Sequence, residues 1–472
     1  MPPELDLLAI DRGSVTAPAG CGKTQLIADT LSIHEGSKPI LILTHTNAGA
    51  AALRQRLKCS KVANSSFIVA TLDGFAIKII SMFPWRSGHD PLLLEISNPR
   101  NDYPTIRRAA TQLIQSQHIN DALKATYSRL IVDEYQDCNL IQHELVNALC
   151  TIIPTVVLGD PLQAIFDFAG NQLVNWQQHV EVSFPPIGTL TTPWRWRNAN
   201  KEALGQWLLN IRQQLISGSS VDLRVAPQEL VWFPINNQNA DQERRRAAQI
   251  RTENDEDTVL IIGDSRNPQG RNLLTSQTPG ATAVEAVDYG ELVIFARNFD
   301  LNNDNALDRL VNFASNFMTQ VGPANFLTRI QTIKNGRSRT EPTLAENAAV
   351  AFSNEPSFQL IQNLLRGFEN QANARVYRPE IYRCLCLALS NASLKETLLI
   401  DEVLAARESQ RHYGRTISRR AVGSTLLLKG LEADVAVILN PEGMNAANLY
   451  VALTRGAKRI IICSSTPELN PI

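Results

Sequence analysis

The sequence predicts an α/β protein with two parallel-sheet cores, each interrupted by a helical insertion. Short apolar strands alternate with helical stretches in two places, residues 13 to 190 and the end of the chain, which is the patterning of a parallel sheet covered on both faces. Between them, at about 81 to 128 and about 271 to 415, strand-like runs thin out and helical spacing dominates. A third observation fixes the kind of core. The run Ala17-Pro18-Ala19-Gly20-Cys21-Gly22-Lys23-Thr24 follows a short apolar segment, Val15-Thr16, and opens a helix-like stretch from Gln25 to Leu31, which is the setting of a phosphate-cradling loop.

The elements follow in order. In the first core, residues 1–80 and 129–190, the strands are Ile40-Leu41-Ile42-Leu43, Leu130 to Val132 and Val156-Val157-Leu158. The small insertion takes 81–128. The second core takes 191–270 and 416–472, with strands at Val435 to Leu439 and Ile460-Ile461-Ile462. Thr258 to Gly263 reads as a strand of that core left upstream of its insertion, so the core is discontinuous in sequence. The larger insertion, 271–415, carries helical spacing at Leu307-Leu310-Val311-Ala314 and Leu360-Ile361-Leu364-Leu365. Loop-like runs bound it: Asp264 to Gly270 before, and His412-Tyr413-Gly414-Arg415 after.

Bulk properties narrow the class. A chain of 472 residues exceeds one hydrophobic core and suggests about three domains, and 44% hydrophobic content says that they fold. With 45 basic against 46 acidic residues there is no global field for a polyanion, so any nucleic acid is held in a local groove. The seven cysteines (21, 59, 138, 150, 384, 386 and 463) are scattered without a CxxC pair, which fits reduced thiols rather than disulfides or zinc. The N-terminus is acidic, and the longest apolar run, near Ala148 to Gly159, is too short to span a bilayer. A cytoplasmic protein with no membrane partner is expected.

The chemistry lies in two runs. In the first, the backbone N–H groups of Ala19 to Gln25 and the helix N-terminus converge on phosphates, Lys23 neutralises charge, and the Thr24 hydroxyl reaches Mg²⁺. In the second, Leu130-Ile131-Val132-Asp133-Glu134-Tyr135-Gln136-Asp137, Asp133 ends a buried-looking strand and can hold the metal, while Glu134 can polarise an attacking water. A phosphate loop alone leaves kinases, GTPases and many ATPases open.

After those runs come Gly159-Asp160-Pro161-Leu162-Gln163 and Leu449-Tyr450-Val451-Ala452-Leu453-Thr454-Arg455, and the whole ordered set resembles the superfamily 1 DNA helicases of the UvrD/Rep type. The resemblance spans both cores and is not visible in the insertions. It implies two RecA-like P-loop cores, ATP and Mg²⁺ as cofactors, and 3′→5′ movement on single-stranded or partly duplex DNA. Carried over position by position, Thr44, Thr46 and Asn47 in Leu41 to Ala48 look like the motif that touches the single strand, and Thr71 in Thr71-Leu72-Asp73-Gly74-Phe75 looks like the next DNA-facing motif. Gln163 falls where the family links the γ-phosphate to DNA, and Phe166 and Phe168 fall where aromatics stack on bases. Stacking contributes about 1–3 kcal/mol per base and reads no sequence. In Thr192-Pro193-Trp194-Arg195, Trp194 is the candidate to stack on adenine and Arg195 the first arginine to reach the γ-phosphate; Arg455 matches the second. Such a finger contributes about 10³–10⁵ in rate. Glu432 falls where the family contacts the nucleotide sugar. Lys23 and Arg455 are expected on different cores, which close on ATP and reopen after hydrolysis.

Departures from the family pattern bear on coupling. Gln25 stands where an Arg is usual, His45 where an aromatic is usual, Asp73 and Leu426 where His is usual, and Ala169 where Arg is usual. Plain alternatives stand beside several assignments: one of Phe166 and Phe168 as core, either Trp194 or Trp196 as core with Trp194 preferred for adenine only by its motif position, Arg195 as a surface arginine, His45 as a packed histidine, and Arg244-Arg245-Arg246 as a solvated helix face. Cys384 and Cys386 read as core, since no second pair supplies a metal site. The compact length also resembles the helicase component of the Gabija antiphage system, which implies a DNA-sensing ATPase switch that licenses a nuclease-bearing partner as the second reading. A phosphotransferase is the third, and the two candidate arginine fingers weigh against it.

Overall fold

Ile40 to Thr44 is buried along its whole length, as a strand covered on both faces must be. It belongs to the first of two sheets in the computed structural model, which describes residues 5–166, 172–236, 238–412 and 418–471. Six strands build this sheet: β1 (Arg12–Thr16), β2 (Ile40–Thr44), β3 (Phe67–Thr71), β4 (Arg129–Val132), β5 (Thr155–Gly159) and β6 (Pro186–Thr189). Their order is β3-β2-β4-β5-β1-β6 and every pairing is parallel. Parallel strands need crossover connections, and the helices Lys23–Ser32, Asn47–Cys59 and Leu140–Cys150 lie in those from β1 to β2, β2 to β3 and β4 to β5.

Side-chain alternation divides the apolar runs between two cores. Ile40, Ile42, Ile131, Val156 and Leu158 join Leu26, Ile27 and Leu31 on one face. Leu41, Leu43, Leu130, Val132 and Val157 join Leu145, Val146 and Leu149 on the other. The second cluster also takes in Ile106, Ala110, Leu113 and Ile114 from the helix Pro99–Gln115. The insertion expected at 81–128 is therefore helical but has no separate core.

The chain divides into two compact units. The first comprises residues 1–230, 444–458 and 468–472. It runs past the boundary expected at 190 to include the helices Glu202–Ile216 and Ala446–Leu453, and a short antiparallel ribbon of β7 (Val221–Asp222) and β14 (Glu468–Leu469).

The second unit, residues 231–443 and 459–467, is organised on the other six-stranded sheet. Its strands are β8 (Leu230–Pro234), β9 (Val259–Ile262), β10 (Ala281–Ala283), β11 (Arg420–Gly423), β12 (Ala433–Ile438) and β13 (Gly456–Ser464), in the order β10-β11-β9-β12-β13-β8. β9, Val259–Ile262, falls within the run Thr258 to Gly263 that the sequence suggests, and pairs in parallel with β11 and β12 from beyond the insertion. The expected insertion begins later than 271, because β10 still belongs to the sheet. Helices between Gly290 and His412 then gather their own core around Phe313, Phe317, Phe352, Leu365, Phe368 and Leu389. Arg378 ties this bundle to the segment after β10, with Nε 2.7 Å from Glu285 and Nη1 2.6 Å from Glu291. Cys384 is fully buried in that core and Cys386 packs against it, as the sequence suggests.

Candidate active site

The candidate phosphate loop leaves the carboxyl end of β1. Ala17 N–H donates to the Gly159 carbonyl at the end of β5 at 2.8 Å, which pins the loop to the neighbouring strand. Gly22, with φ +85°, is the left-handed residue that turns the chain into the helix starting at Lys23. A Cβ there would stand 2.7 Å from Trp194 Cδ1, so the glycine also makes room for that indole.

Lys23 and the acidic pair meet. Its Nζ lies 3.1 Å from Asp133 Oδ1 and 2.5 Å from Glu134 Oε1. Burial alone would lower the ammonium's pKa, but the two carboxylates outweigh it and the net shift is upward. Asp133 is shifted upward too: burial dominates, opposed by Lys23. Asp133 Oδ1 also accepts the Glu134 N–H at 3.0 Å, so both of these contacts of the carboxylate fall on Oδ1. The Asp133 carboxylate and the hydroxyl of Thr24, in the first turn of the helix, are the hard oxygen donors that would suit Mg²⁺. Glu134 itself sits at φ +56°, a conformation a non-glycine residue adopts only when its surroundings enforce it. Gln136 is part of that enforcement, its Nε2 donating to Glu134 Oε2 at 2.5 Å.

Gln136 leads to the next motif. Its Oε1 accepts the Asp160 N–H at 3.1 Å. Asp160, fully buried, accepts Gln163 Nε2 at 3.0 Å and Arg212 Nη2 at 2.8 Å. The loop joins the group through Ala19, whose N–H donates to the Tyr450 hydroxyl at 3.2 Å. Gln136, Asp160 and Tyr450 lie inside runs that the sequence singles out, yet gain their roles only here. Arg212 lies outside every motif. Its one signal is an arginine at a buried register of the helix Glu202–Ile216, beside Leu208, Ile211 and Leu215.

The two candidate arginine fingers converge on Thr454. Arg195 Nη1 donates to its carbonyl, and Arg455 Nη2 donates to its hydroxyl at 3.1 Å. Arg455 is buried, and its Nε donates to Val451 O at 2.8 Å. Arg455 therefore groups with the unit that carries Lys23, while the strand that follows it, β13, joins the second sheet. This differs from the expectation of separate cores. The reason is the helix Ala446–Leu453, anchored by Tyr450 to the phosphate loop. The tryptophans also part company: Trp196 is buried and donates from Nε1 to Gly456 O at 2.9 Å, whereas Trp194 is half-buried beside Gly22 with Arg197 5.1 Å above its ring. Gln25 pairs with Asp29 at 2.7 Å and with Arg56 at 2.9 Å.

The residues expected to face nucleic acid are mixed in placement. Thr44 is buried, whereas Asn47 is exposed at the start of its helix. Thr46 and Thr71 cap helices, their hydroxyls accepting Gly49 N–H at 3.0 Å and Gly74 N–H at 2.9 Å, and each keeps its own proton to donate. Phe166 packs near His45, with ring centroids 6.0 Å apart, which brings two of the family-like aromatic positions together. Phe168 and Ala169 lie outside the described residues. Asp73 forms a two-pronged ion pair with Arg107, Nε–Oδ1 2.6 Å and Nη2–Oδ2 2.8 Å. In the second unit, Glu432 is exposed just before β12. Arg244 and Arg246 pair with Asp241 and Glu243 of their own helix, and Arg245 with Gln277.

Comparison with known proteins bears on this geometry. The family model for the UvrD/REP helicase N-terminal domain matches residues 96–181. That stretch holds Asp133, Glu134, Gln163 and Phe166, and it begins within the small insertion, where sequence reading alone finds no resemblance. The match supports a UvrD-like superfamily 1 helicase. No curated protein matches. Among solved structures, the arterivirus helicase nonstructural protein 10 in complex with DNA is similar with a TM-score of 0.29 and 9% identity, over 55% of this chain. The chain spans about half, 49%, of that neighbour.

Proposed function

We propose that this protein hydrolyses ATP, with Mg²⁺, to drive 3′→5′ movement along single-stranded DNA. The observation that carries the reading is Lys23 held between Asp133 and Glu134, at 3.1 and 2.5 Å, on a helix that opens from a glycine-turned loop. Lys23 and the loop amides grip the β- and γ-phosphates. Glu134 takes a proton from the attacking water as the water oxygen bonds to the γ-phosphorus and the bond to the β,γ-bridging oxygen breaks, releasing ADP and phosphate. A magnesium ion held by Thr24 and Asp133 would neutralise charge on the phosphate oxygens. Arg195 and Arg455, gathered at Thr454, supply the compensating charge. Phe166 with His45, and the exposed Thr46 and Asn47, offer a stacking and hydrogen-bonding edge to a single strand.

The test is Glu134→Gln, with ATPase measured alone and with single-stranded DNA, duplex and RNA. Nucleotide affinity is expected to stay while turnover falls by about 10²-fold or more, the usual scale of a lost catalytic base. Substantial DNA-stimulated turnover in the variant overturns Glu134 as the base. Strand displacement by the isolated protein marks a helicase. Stimulated ATPase without displacement, restored by a nuclease-bearing partner, marks the antiphage switch instead.

A further inference from the structure

Among the described residues, Arg212 is a strongly buried cation near this site that the motifs leave unexplained. Its side chain is 6% exposed and its partner Asp160 is 0% exposed. Among the described residues the guanidinium donates from Nη2 to Asp160 Oδ1 at 2.8 Å, and its buried Nε has no partner. Asp160 spends its other contacts on the turn that follows it: Oδ1 accepts Leu162 N–H at 3.2 Å and Oδ2 accepts Gln163 Nε2 at 3.0 Å. A carboxylate this deep needs a counter-charge, or its desolvation is uncompensated. Arg212 is that charge.

We propose that Arg212 is a positioning residue: through the Asp160 carboxylate it fixes the turn Pro161–Gln163 and so holds the Gln163 amide where it couples nucleotide to polymer. The inference rests on the ATPase reading above. The helix Glu202–Ile216 supplies the anchor, and the loop side closes on it as well. Tyr450, which accepts the Ala19 N–H, has its pKa raised by burial first and then by the Asp160 charge, opposed by Arg212, which places its hydroxyl in the field of the same pair. Without Arg212, Asp160 keeps only neutral donors. The cheapest relief is to move the turn toward water, which carries Gln163 with it.

The experiment compares Arg212→Gln, Arg212→Lys and Gln163→Ala, singly and combined, in the full chain. Arg212→Gln is expected to lower kcat of DNA-stimulated ATP hydrolysis about tenfold or more with KM for ATP within about threefold, and Arg212→Lys to recover to within about threefold of the parent. In the Gln163→Ala background, Arg212→Gln should remove less than about a further twofold, because the residue through which it acts is already gone. An equal loss in both backgrounds, or parental kcat in a folded Arg212→Gln protein, overturns the proposal. If Arg212→Gln does not fold by circular dichroism, the isosteric Asp160→Asn takes its place with the same expectations. A parent protein with no ATP turnover refutes the ATPase reading itself, whereas parental turnover untouched by Arg212→Gln refutes only the role of Arg212.

Discussion

Arg107→Leu tests what ties the small insertion to the first sheet. Arg107 lies on the helix Pro99–Gln115 and grips Asp73, in the first turn of the helix Leu72–Met82, through bonds of 2.6 and 2.8 Å with side chains 12% and 25% exposed. At an effective dielectric of about 20, charges about 3.5 Å apart attract by roughly 5 kcal/mol gross, and desolvation of both groups consumes most of it. A coupling of about 1–3 kcal/mol should remain, as for other partly buried two-pronged pairs. Tyr103, 5.9 Å from the guanidinium, adds about 0.5 kcal/mol or more to the Arg107 side of the cycle. Among the described residues, removing Arg107 leaves Asp73 the long 3.5 Å contact from Gln142, so the single substitution should cost about 2–3 kcal/mol. The assay is chemical denaturation of Arg107→Leu, Asp73→Asn and the double variant, with hydrogen exchange read along Pro99–Gln115. The double should be more stable than the sum of the singles predicts. A coupling below about 0.5 kcal/mol would refute the pair as the tie.

Other outcomes follow from the same coordinates. His143, whose Nδ1 shares a 2.8 Å hydrogen bond with the Tyr135 hydroxyl, is pushed down from 6.5 to about 4 by burial and by His179. Between those values the unfolded chain binds the proton and the folded chain does not, so stability falls as pH drops from about 6.5 to about 4 and levels off below, by on the order of 2 kcal/mol. In His143→Gln that slope should vanish, as urea titrations at pH 7 and 4.5 would reveal. Gly22→Ala faces both φ +85° and Trp194 2.7 Å away; it should cost about 1–2 kcal/mol of backbone strain and weaken nucleotide binding about tenfold, read by equilibrium titration with ADP. Trp196→Ala should cost about 3–5 kcal/mol of stability. Trp194→Ala should instead leave stability within about 1 kcal/mol and weaken ATP more than inorganic pyrophosphate. The opposite assignment of losses between the two tryptophans would overturn Trp194 as the base-facing ring.

The sequence reveals most where chemistry restricts residue type. The runs that end in Lys23, Asp133 and Gln163 set a glycine turn, an acidic residue and an amide at the fixed places that the proposed chemistry needs, and they stand out without any three-dimensional information. Strands buried on both faces are visible for a related reason, since Ile40 to Leu43 and Val156 to Leu158 must be apolar at every position. What stays hidden is pairing across distance. Nothing near Arg212 announces that it neutralises Asp160, 52 residues away in sequence, and nothing near Asp73 announces Arg107. Both depend on which helices lie side by side. The same limit hides the helix Ala446–Leu453: its motif is plain, but whether it packs with the core before it or the core after it depends on where Tyr450 finds its partner.

Strand order explains why this site needs so few residues. β4, β5 and β1 are consecutive in the first sheet, and all run parallel. Parallel strands bring their carboxyl ends to one edge, where ligands of open α/β sheets gather. The end of β1 delivers the candidate phosphate loop, the end of β4 delivers Asp133 and Glu134, and the end of β5 delivers Asp160 and its turn. Three segments, the first more than a hundred residues before the other two, are thus neighbours by topology, before any side chain makes a bond. The strained backbone at Glu134 follows from this crowding. A regular continuation of β4 would alternate the acids to opposite faces. The left-handed turn at φ +56° instead brings both onto Lys23 and places Glu134 within reach of Gln136. About 1–2 kcal/mol of backbone strain is offset by an ion pair and a hydrogen bond, and in return a second carboxylate stands where one strand could present only one.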